Sequence, residues 1–262
     1  MNLNLVHKNA LVCGSTQGIG KATALELAQM GANITLVARN EERLKKTLAD
    51  LDTSKGQTHQ YLCVDFSKPE VLADTLTAYL ADGKIMHILI NNTGGPAGGP
   101  IEKAAIQEFR AAFEMHLICN HILVSAVKDG MKKAGYGRII NVISTSVKQP
   151  LNGLGVSNTI RGAVANWAKT MANELGIHGI TVNNVLPGAT NTVRLQSIIE
   201  NKAQKQNSTV DVVANAMKAT IPAGRFAEAS EVANAIAFLA SPAAAYINGI
   251  NVPVDGGRTK CL

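Results

Sequence analysis

Aromatic residues are scarce in this chain: Phe, Trp and Tyr make up only 4% of its 262 residues, whereas hydrophobic residues as a whole make up 46%. An interior so poor in rings must be built from small and branched aliphatic side chains, which suits helices packed on a parallel sheet. A hydrophobic share of this size also argues against a disordered chain.

Paired cysteines are also missing. The four cysteines are scattered, with no CxxC pair and no metal-ligand spacing beside the six histidines; they are Cys13, Cys63, Cys119 and Cys261. This spacing argues against a disulfide framework and against a zinc site. We therefore expect no metal and a reduced, cytoplasmic setting.

Long apolar runs are absent as well, since no stretch approaches the roughly 18 residues that span a bilayer. The N-terminal segment MNLNLVHKNALVCGST lacks the basic and apolar regions of a signal peptide. The net charge is +6 with a pI near 9.2, but the Lys and Arg residues are dispersed and few aromatics lie among them. We expect a soluble protein that binds neither membrane nor nucleic acid, and the positive charge suits anionic small molecules such as phosphate-bearing cofactors and acyl carriers.

Short apolar runs alternate with helical patterns along the chain. The first five segments are NALVC, GIGKATALELAQM, NITLVAR, NEERLKKTLADL and HQYLCVD, which predict βαβαβ. The alternation continues through MHILINN, a long helix from about Ile106 to Lys133, GRIINVIS, GVSNTIRGAVANWAKTMANELG, ITVNNVLP, AEASEVANAIAFLA and GINVPV. This order predicts an α/β fold, with residues 1–262 forming a single Rossmann-type doubly wound domain whose parallel sheet of about seven strands carries helices on both faces.

One segment departs from the pattern. Between Thr190 and Arg225 the chain is rich in Asn, Gln and Lys and contains Pro222. We interpret residues 190–222 as a mobile helical substrate lid over the strand ends. No residue in it identifies a substrate by its chemistry.

A glycine-rich turn follows the first predicted strand and begins the first helix. Gly14, Gly18 and Gly20 allow a tight turn, a close approach of backbone to a pyrophosphate, and close helix–sheet packing. The free amides of a helix N-terminus would then face the phosphates, which makes the whole loop a candidate cofactor site, including Ser15, Gln17 and Ile19. The alternative is a strand-to-helix turn that binds nothing.

The second strand ends at Ala38, Arg39 and Asn40. Sites selective for NAD place an acidic residue near this point, whereas an Arg accommodates the additional phosphate of NADP. Because Ala38 has no carboxylate and Arg39 is a multi-donor cation, we expect NADP(H) to be favoured over NAD(H). The alternative is that Arg39 is an ordinary surface residue.

The motifs GxxxGxG, NNTG at 91–94, PG at 187–188 and a final VDGG occur together. With GRIINVIS, ITVNNVLPG, IPAGRFAEASEVA and YINGINVPVDGG in the same order, the chain resembles the short-chain dehydrogenase/reductase family, and its 3-oxoacyl-acyl-carrier-protein reductase branch in particular, over nearly its whole length. The resemblance implies an oxidoreductase for a carbonyl or alcohol, or an acyl thioester, and a homo-oligomer, either tetramer or dimer.

The resemblance also implies further cofactor contacts. Asp65 and Phe66 would lie against the adenine, and the turn from Asn91 to Gly94 would support the ribose and the central strand. The nicotinamide and phosphates would be bordered by Pro187, Gly188, Thr190 and Thr192. For Asp65 the alternative is a turn or helix cap before Ser67.

The active site departs from the family pattern, in which Asn, Ser, Tyr and Lys act together. The serine position is Ser144, but thirteen residues on, at the tyrosine position, stands Ser157. Arg161 occupies the lysine position, where it would still hydrogen-bond the ribose, and His116 occupies the asparagine position. Tyr61, Tyr79, Tyr136 and Tyr246 all lie outside the segment.

Two catalytic hypotheses remain open. His116 could donate the proton, since an unperturbed imidazole titrates near pH 6.5. Alternatively, Ser144 and Ser157 could relay a proton to water while Arg161 stabilises the developing oxyanion. We therefore predict an NADP(H)-dependent oxidoreductase with a non-standard site; the alternative is a catalytically impaired dinucleotide-binding pseudoenzyme acting as a sensor or partner subunit.

Overall fold

The computed structural model describes residues 1–261, which form seven β-strands and nine α-helices. The strands are β1 (Asn9–Cys13), β2 (Asn33–Ala38), β3 (Gln60–Cys63), β4 (Ile88–Asn91), β5 (Gly137–Val142), β6 (Ile180–Pro187) and β7 (Asn251–Val254). The helices are α1 (Gly18–Gln29), α2 (Glu41–Ala49), α3 (Pro69–Leu80), α4 (Ile106–Phe113), α5 (Cys119–Ala134), α6 (Gly155–Leu175), α7 (Val193–Lys205), α8 (Val210–Lys218) and α9 (Ala229–Ala240).

The seven strands form one sheet in the order β3-β2-β1-β4-β5-β6-β7, and every neighbouring pair is parallel. The chain therefore reverses its direction of travel across the sheet between β1 and β4. In open parallel sheets this reversal opens a crevice beyond the carboxyl ends of the strands, where ligands bind. The predicted fold class is confirmed.

Successive side chains of β1 point alternately into two separate cores. Ala10 and Val12 belong to a cluster that includes residues of α1, α2 and α9, whereas Leu11 and Cys13 belong to one that includes residues of α3, α5 and α6. Because successive side chains of a strand point to opposite faces, a strand covered by helices on both sides must be apolar throughout. Aliphatic residues make up most of both cores, as the low aromatic content predicts, and Phe66 is the one aromatic residue among the buried members described.

Four asparagines form a hydrogen-bonded ladder across half of the sheet. Asn91 of β4 donates through Nδ2 to Oδ1 of Asn141 on β5, at 2.8 Å. Asn141 donates to Asn184 on β6 at 2.9 Å, and Asn184 donates to Asn251 on β7 at 2.8 Å. The strand registers pair Asn91 with Asn141, Asn141 with Asn184 and Asn184 with Asn251, so the ladder follows the backbone pairing.

Two segments differ in detail from the sequence prediction. The predicted long helix from Ile106 to Lys133 is divided by a π turn, Glu114–Ile118, which separates α4 from α5. The lid segment contains α7 and α8, which bury a small apolar cluster of their own: Leu195, Ile199, Ala203 and Val213.

No helix among residues 1–261 has the length and apolar character needed to cross a membrane.

Candidate functional site

The glycine loop has the backbone shape that a pyrophosphate site requires. Gly14 and Gly18 have φ values of 59° and 53°, in the left-handed region that favours glycine. A Cβ on Gly20 would overlap the carbonyl oxygen of Gly14. The loop is held from β4 by Asn92, whose Nδ2 donates to the carbonyl oxygens of Cys13 and Gly14 at 3.3 and 3.4 Å.

The N-terminus of α1 lacks the usual partners for its amides. Its capping residue Gln17 makes no side-chain hydrogen bond to the helix, and the first turn contains no acidic residue. Ser15 is buried and its hydroxyl is directed to the carbonyl of Val37, while Ile19 packs on the core. Uncapped amides at the sheet reversal fit the phosphates of a dinucleotide.

Two arginines and an asparagine surround the end of β2. Arg39 is exposed, and the Asn40 side chain caps α2 by accepting from the Arg43 backbone N–H at 2.9 Å. Arg43 in turn donates from its guanidinium to Gln17 Oε1 at 3.2 Å, which joins α2 to the glycine loop. Arg43 was not among the predicted site residues. The sequence feature that could have identified it is a cation in the first turn of the helix that follows the second strand.

Asp65 and Phe66 fit the predicted adenine site less well. Asp65 Oδ1 accepts from the Ser67 N–H at 3.0 Å, so the alternative interpretation of Asp65 as a turn residue describes what it does here. That bond, together with the more distant charge of Arg39, holds the pKa of Asp65 below its ordinary value. The ring of Phe66 is buried in the core at 7% exposure, so little of it can face an adenine.

The turn after β4 serves two purposes. The Asn91 side chain lies within the sheet ladder, so it supports the central strand and is directed away from a ribose role. Thr93 Oγ1 hydrogen-bonds His116 Nδ1 at 2.7 Å. Gly94 is exposed with open space around it, which leaves its backbone accessible.

His116 lies on the π turn and is 1% exposed. Burial, and secondarily the charge of Arg161, lowers the pKa of His116 to about 3. The imidazole is therefore neutral near pH 7, which argues against donation from an imidazolium, and the hypothesis that His116 donates the proton stays a prediction. Its Nε2 has no hydrogen-bond partner among the described residues.

Three of the predicted catalytic residues follow β5. Ser144 Oγ accepts from the Ser146 N–H at 3.1 Å, and Ser157 is half-buried in the first turn of α6. Arg161, one turn further, is 7% exposed and donates to the carbonyl oxygen of Val142 at 3.2 Å. Burial, and then the charge of Arg194, lowers the Arg161 pKa to about 10, so the guanidinium remains a cation at neutral pH.

The end of β6 connects the site to the lid. A Cβ on Gly188 would stand 2.7 Å from Asp255 Cα, so Pro187 and Gly188 are held against the end of β7. Thr190 is buried and donates to the Gly188 carbonyl at 3.2 Å. Thr192 caps α7, and its Cγ2 lies 3.1 Å from where a Gly18 Cβ would be. The lid thus starts against the glycine loop.

The glycine loop, a buried cation and two hydroxyls all follow strands of one parallel sheet, beyond the carboxyl ends of those strands. Among residues 1–261 there is no cluster of three or more His, Cys, Asp or Glu side chains able to hold a metal ion. Sequence reasoning missed Arg194, which acts on Arg161 from the lid, and Thr93, which orients His116. Thr93 lies in the NNTG motif and Arg194 lies in no motif, but the role of each depends on a contact distant in sequence.

Comparisons with known proteins identify the family of the chain. The family model described as enoyl-(acyl carrier protein) reductase matches residues 14–259. The 3-oxoacyl-[acyl-carrier-protein] reductase FabG of Vibrio cholerae is 34% identical over 258 residues, covering 97% of this chain and 98% of the relative. The NADPH-dependent reductase BacG of Bacillus subtilis is 28% identical over 256 residues, covering 97% and 99%.

A solved structure gives the same result. L-sorbose reductase from Gluconobacter frateurii, complexed with NADPH and L-sorbose, superposes with a TM-score of 0.93 at 29% identity over the full length of both chains. The glycine loop, the parallel sheet and the sequence match together identify the chain: it belongs to the short-chain dehydrogenase/reductase family of oxidoreductases and is similar to its 3-oxoacyl-acyl-carrier-protein reductases.

Proposed function

We propose that the protein is an NADP(H)-dependent reductase of a small carbonyl compound, working without the Tyr–Lys pair. The observation that carries the proposal is the uncapped N-terminus of α1 behind a glycine loop at the sheet reversal. A helix end without partners for its amides is suited to an anion, and the family supplies the dinucleotide that fits it.

The cofactor preference rests on the residues after β2. Arg39 and Arg43 place two cations beside the loop, and no carboxylate occupies position 38. The names of BacG and of the L-sorbose reductase complex both specify NADPH, which supports the same preference here. When bound, NADPH supplies the hydride to the carbonyl carbon.

The remaining task is to stabilise and protonate the carbonyl oxygen. Arg161 is a permanent cation that would stabilise the developing oxyanion from a buried position, where electrostatic interactions are strong. Ser144 and Ser157 would carry a proton from water to that oxygen. Neutral His116, hydrogen-bonded to Thr93, would orient the site without giving up a proton of its own.

We further propose a homo-oligomer, tetramer or dimer, in the cytoplasm. The resemblance to the family implies pairing through the long helices and the final strand. The mobility of the lid at about residues 190–222 belongs to the same proposal, since substrate must enter past α7.

Restoring the missing proton donor tests the function. Ser157→Tyr with Arg161→Lys should raise NADPH-dependent carbonyl reduction by about 10²- to 10⁴-fold, the usual contribution of a general acid. Ser157→Phe with Arg161→Lys is the matched control, because it adds the ring without the hydroxyl and should give no gain. The rate is followed through NADPH absorbance with a panel of ketones and 3-oxoacyl thioesters.

A triple variant that also contains His116→Asn completes the test by restoring the family's polar group on the π turn. If the unmodified protein and this variant both fold and bind NADPH but neither reduces any carbonyl of the panel, the reductase proposal fails. The chain would then be better described as a dinucleotide-binding protein.

A further inference from the structure

Two arginines converge on the loop after β4 without an anion to balance them. The Nη2 atoms of Arg161 and Arg194 lie 3.9 and 3.6 Å from the point where a Cβ of Gly95 would stand. Arg161 reaches this point from α6 and Arg194 from α7. Gly95 leaves the space between them free of a side chain.

The hydrogen bonds of these two guanidiniums go to backbone carbonyls. Arg161 donates to Val142 O at 3.2 Å, and Arg194 donates to Pro96 O at 2.6 Å. Within residues 1–261 the salt bridges all lie elsewhere, so neither guanidinium is paired with a carboxylate there. A buried cation without a counter-ion is destabilising, which makes Arg161 a poor choice for structure alone.

His116 is a third polar group near Arg161. The charge of Arg161 acts on its ring, and its buried Nε2 has no hydrogen-bond partner within residues 1–261. When the Thr93 hydroxyl donates to Nδ1, the ring proton is on Nε2, where it can be donated to an incoming acceptor. The two guanidiniums thus offer donors to an anion beside Gly95, and His116 adds a donor close to Arg161.

The position of these donors separates them from the phosphates of a dinucleotide. Arg161 is tied to the end of β5, two strands from β1, and neighbouring strands are about 4.8 Å apart. The glycine loop at the end of β1 serves the pyrophosphate. An anion between the guanidiniums would lie beside Gly95, beyond the ends of β4 and β5, and Ser144 follows β5 on the side where the carbonyl would react.

We propose that Arg194 binds a carboxylate of the substrate beside Arg161, whose charge acts on both that carboxylate and the adjoining carbonyl oxygen, so that the enzyme reduces an oxo acid and the lid contributes one of the two arginines. This inference rests on the proposed reductase function and adds its substrate class. Guanidinium forks match the planar geometry of a carboxylate, and charged hydrogen bonds of this kind are the strong ones. The reaction converts the oxo acid, NADPH and one proton into the hydroxy acid and NADP⁺.

The binding experiment uses the complete protein saturated with NADP⁺, which cannot reduce a carbonyl. Pyruvate, acetoacetate and levulinate, each beside its methyl ester, are titrated by calorimetry. At least one acid should bind about tenfold or more tightly than its ester. Arg194→Gln should remove that difference while leaving the affinity for NADPH unchanged, and Lys202→Gln, an exposed lysine on the same helix, should preserve it.

The outcomes separate the two proposals. Reduction of carbonyls with equal binding of acids and esters overturns the carboxylate site and keeps the reductase. Preferential binding of an acid that NADPH never reduces keeps the carboxylate site and overturns the reductase. Weaker NADPH binding in Arg194→Gln assigns the arginine to the cofactor and overturns the inference, as does an equal effect of Lys202→Gln on acid binding.

Discussion

At the residue scale, the proposed preference for NADP(H) rests on the end of β2. Arg39 is exposed, and its charge reaches the carboxyl of Asp65, which follows the adjacent strand β3. Asp65 accepts a hydrogen bond from the Ser67 N–H within a turn. It therefore does not replace the carboxylate that an NAD-selective site would carry near residue 38. A 2′-phosphate would therefore meet a cation there, and a 2′-hydroxyl would find no carboxylate.

We expect NADPH to bind more tightly than NADH, and Arg39→Asp to reverse that order. The substitution removes a phosphate partner and supplies the acceptor that a ribose diol prefers, so a change of at least tenfold in the ratio of the two Kd values is expected. Fluorescence titration of both cofactors measures it. Lys205→Asp, which makes the same charge change on α7, should leave the ratio alone; equal affinities in the unmodified protein would contradict the prediction.

The same scale shows what a sequence can reveal about a site. Positions counted from GRIINVIS predicted that Ser144, Ser157 and Arg161 lie together, and the structure places all three after β5. The protonation state of His116 could not be predicted, because it depends on burial by several elements. The contribution of Arg194 could not be predicted for a similar reason, because this residue reaches the site from the lid segment, which contains no motif.

At the element scale, the asparagine ladder ties β4, β5, β6 and β7 into one unit. Asn141 and Asn184 are buried, whereas Asn251 is half-exposed at the edge strand. Removing the amide of Asn141 leaves the buried donor of Asn91 and the buried acceptor of Asn184 without partners. The resulting loss of stability exceeds the net free energy that the two hydrogen bonds contribute. At the edge, water can replace the lost partner.

Asn141→Ala should therefore lower the free energy of unfolding by about 3 kcal/mol, and Asn251→Ala by about 1 kcal/mol. Urea unfolding of the two variants, followed by circular dichroism, measures the difference. Similar losses at both positions would show that the ladder does not act as a buried network.

The elements themselves were largely predictable, and the exceptions have physical causes. The strands followed from short apolar runs, which must be apolar on both faces of a covered parallel sheet. The π turn Glu114–Ile118 has no sequence signature, because one additional residue in a helical turn hardly disturbs the apolar pattern. The ladder was also invisible, since the register that aligns its asparagines arises only when the strands pair.

At the scale of the whole molecule, large apolar side chains are exposed along α4 and the π turn. Ile106, Phe113 and Ile118 are 66%, 41% and 37% exposed along α4 and the π turn. Residues seven apart lie on the same side of a helix, so the first two share one face. A stripe of large exposed side chains is typical of an interface between subunits.

We expect light scattering at micromolar concentration to give a tetramer or dimer of the 27.6 kDa chain. Phe113→Glu should shift the mass toward smaller species, because it would bury a charge in the interface. Ile177→Glu introduces the same charge at a residue 88% exposed beyond the end of α6 and should leave the mass unchanged. A monomeric mass for the unmodified protein would rule the oligomer out.

The asparagine ladder also bears on how quickly the chain acquires and loses its shape. Its three hydrogen bonds join residues that are 50, 43 and 67 positions apart, so each forms only after a long crossover has closed. Contacts between residues so far apart in sequence stabilise the chain only after it has lost the conformational entropy of closing the intervening loop. Interactions that form after the rate-limiting step slow unfolding and leave the folding rate almost unchanged. Removing a ladder asparagine should therefore speed unfolding more than it slows folding.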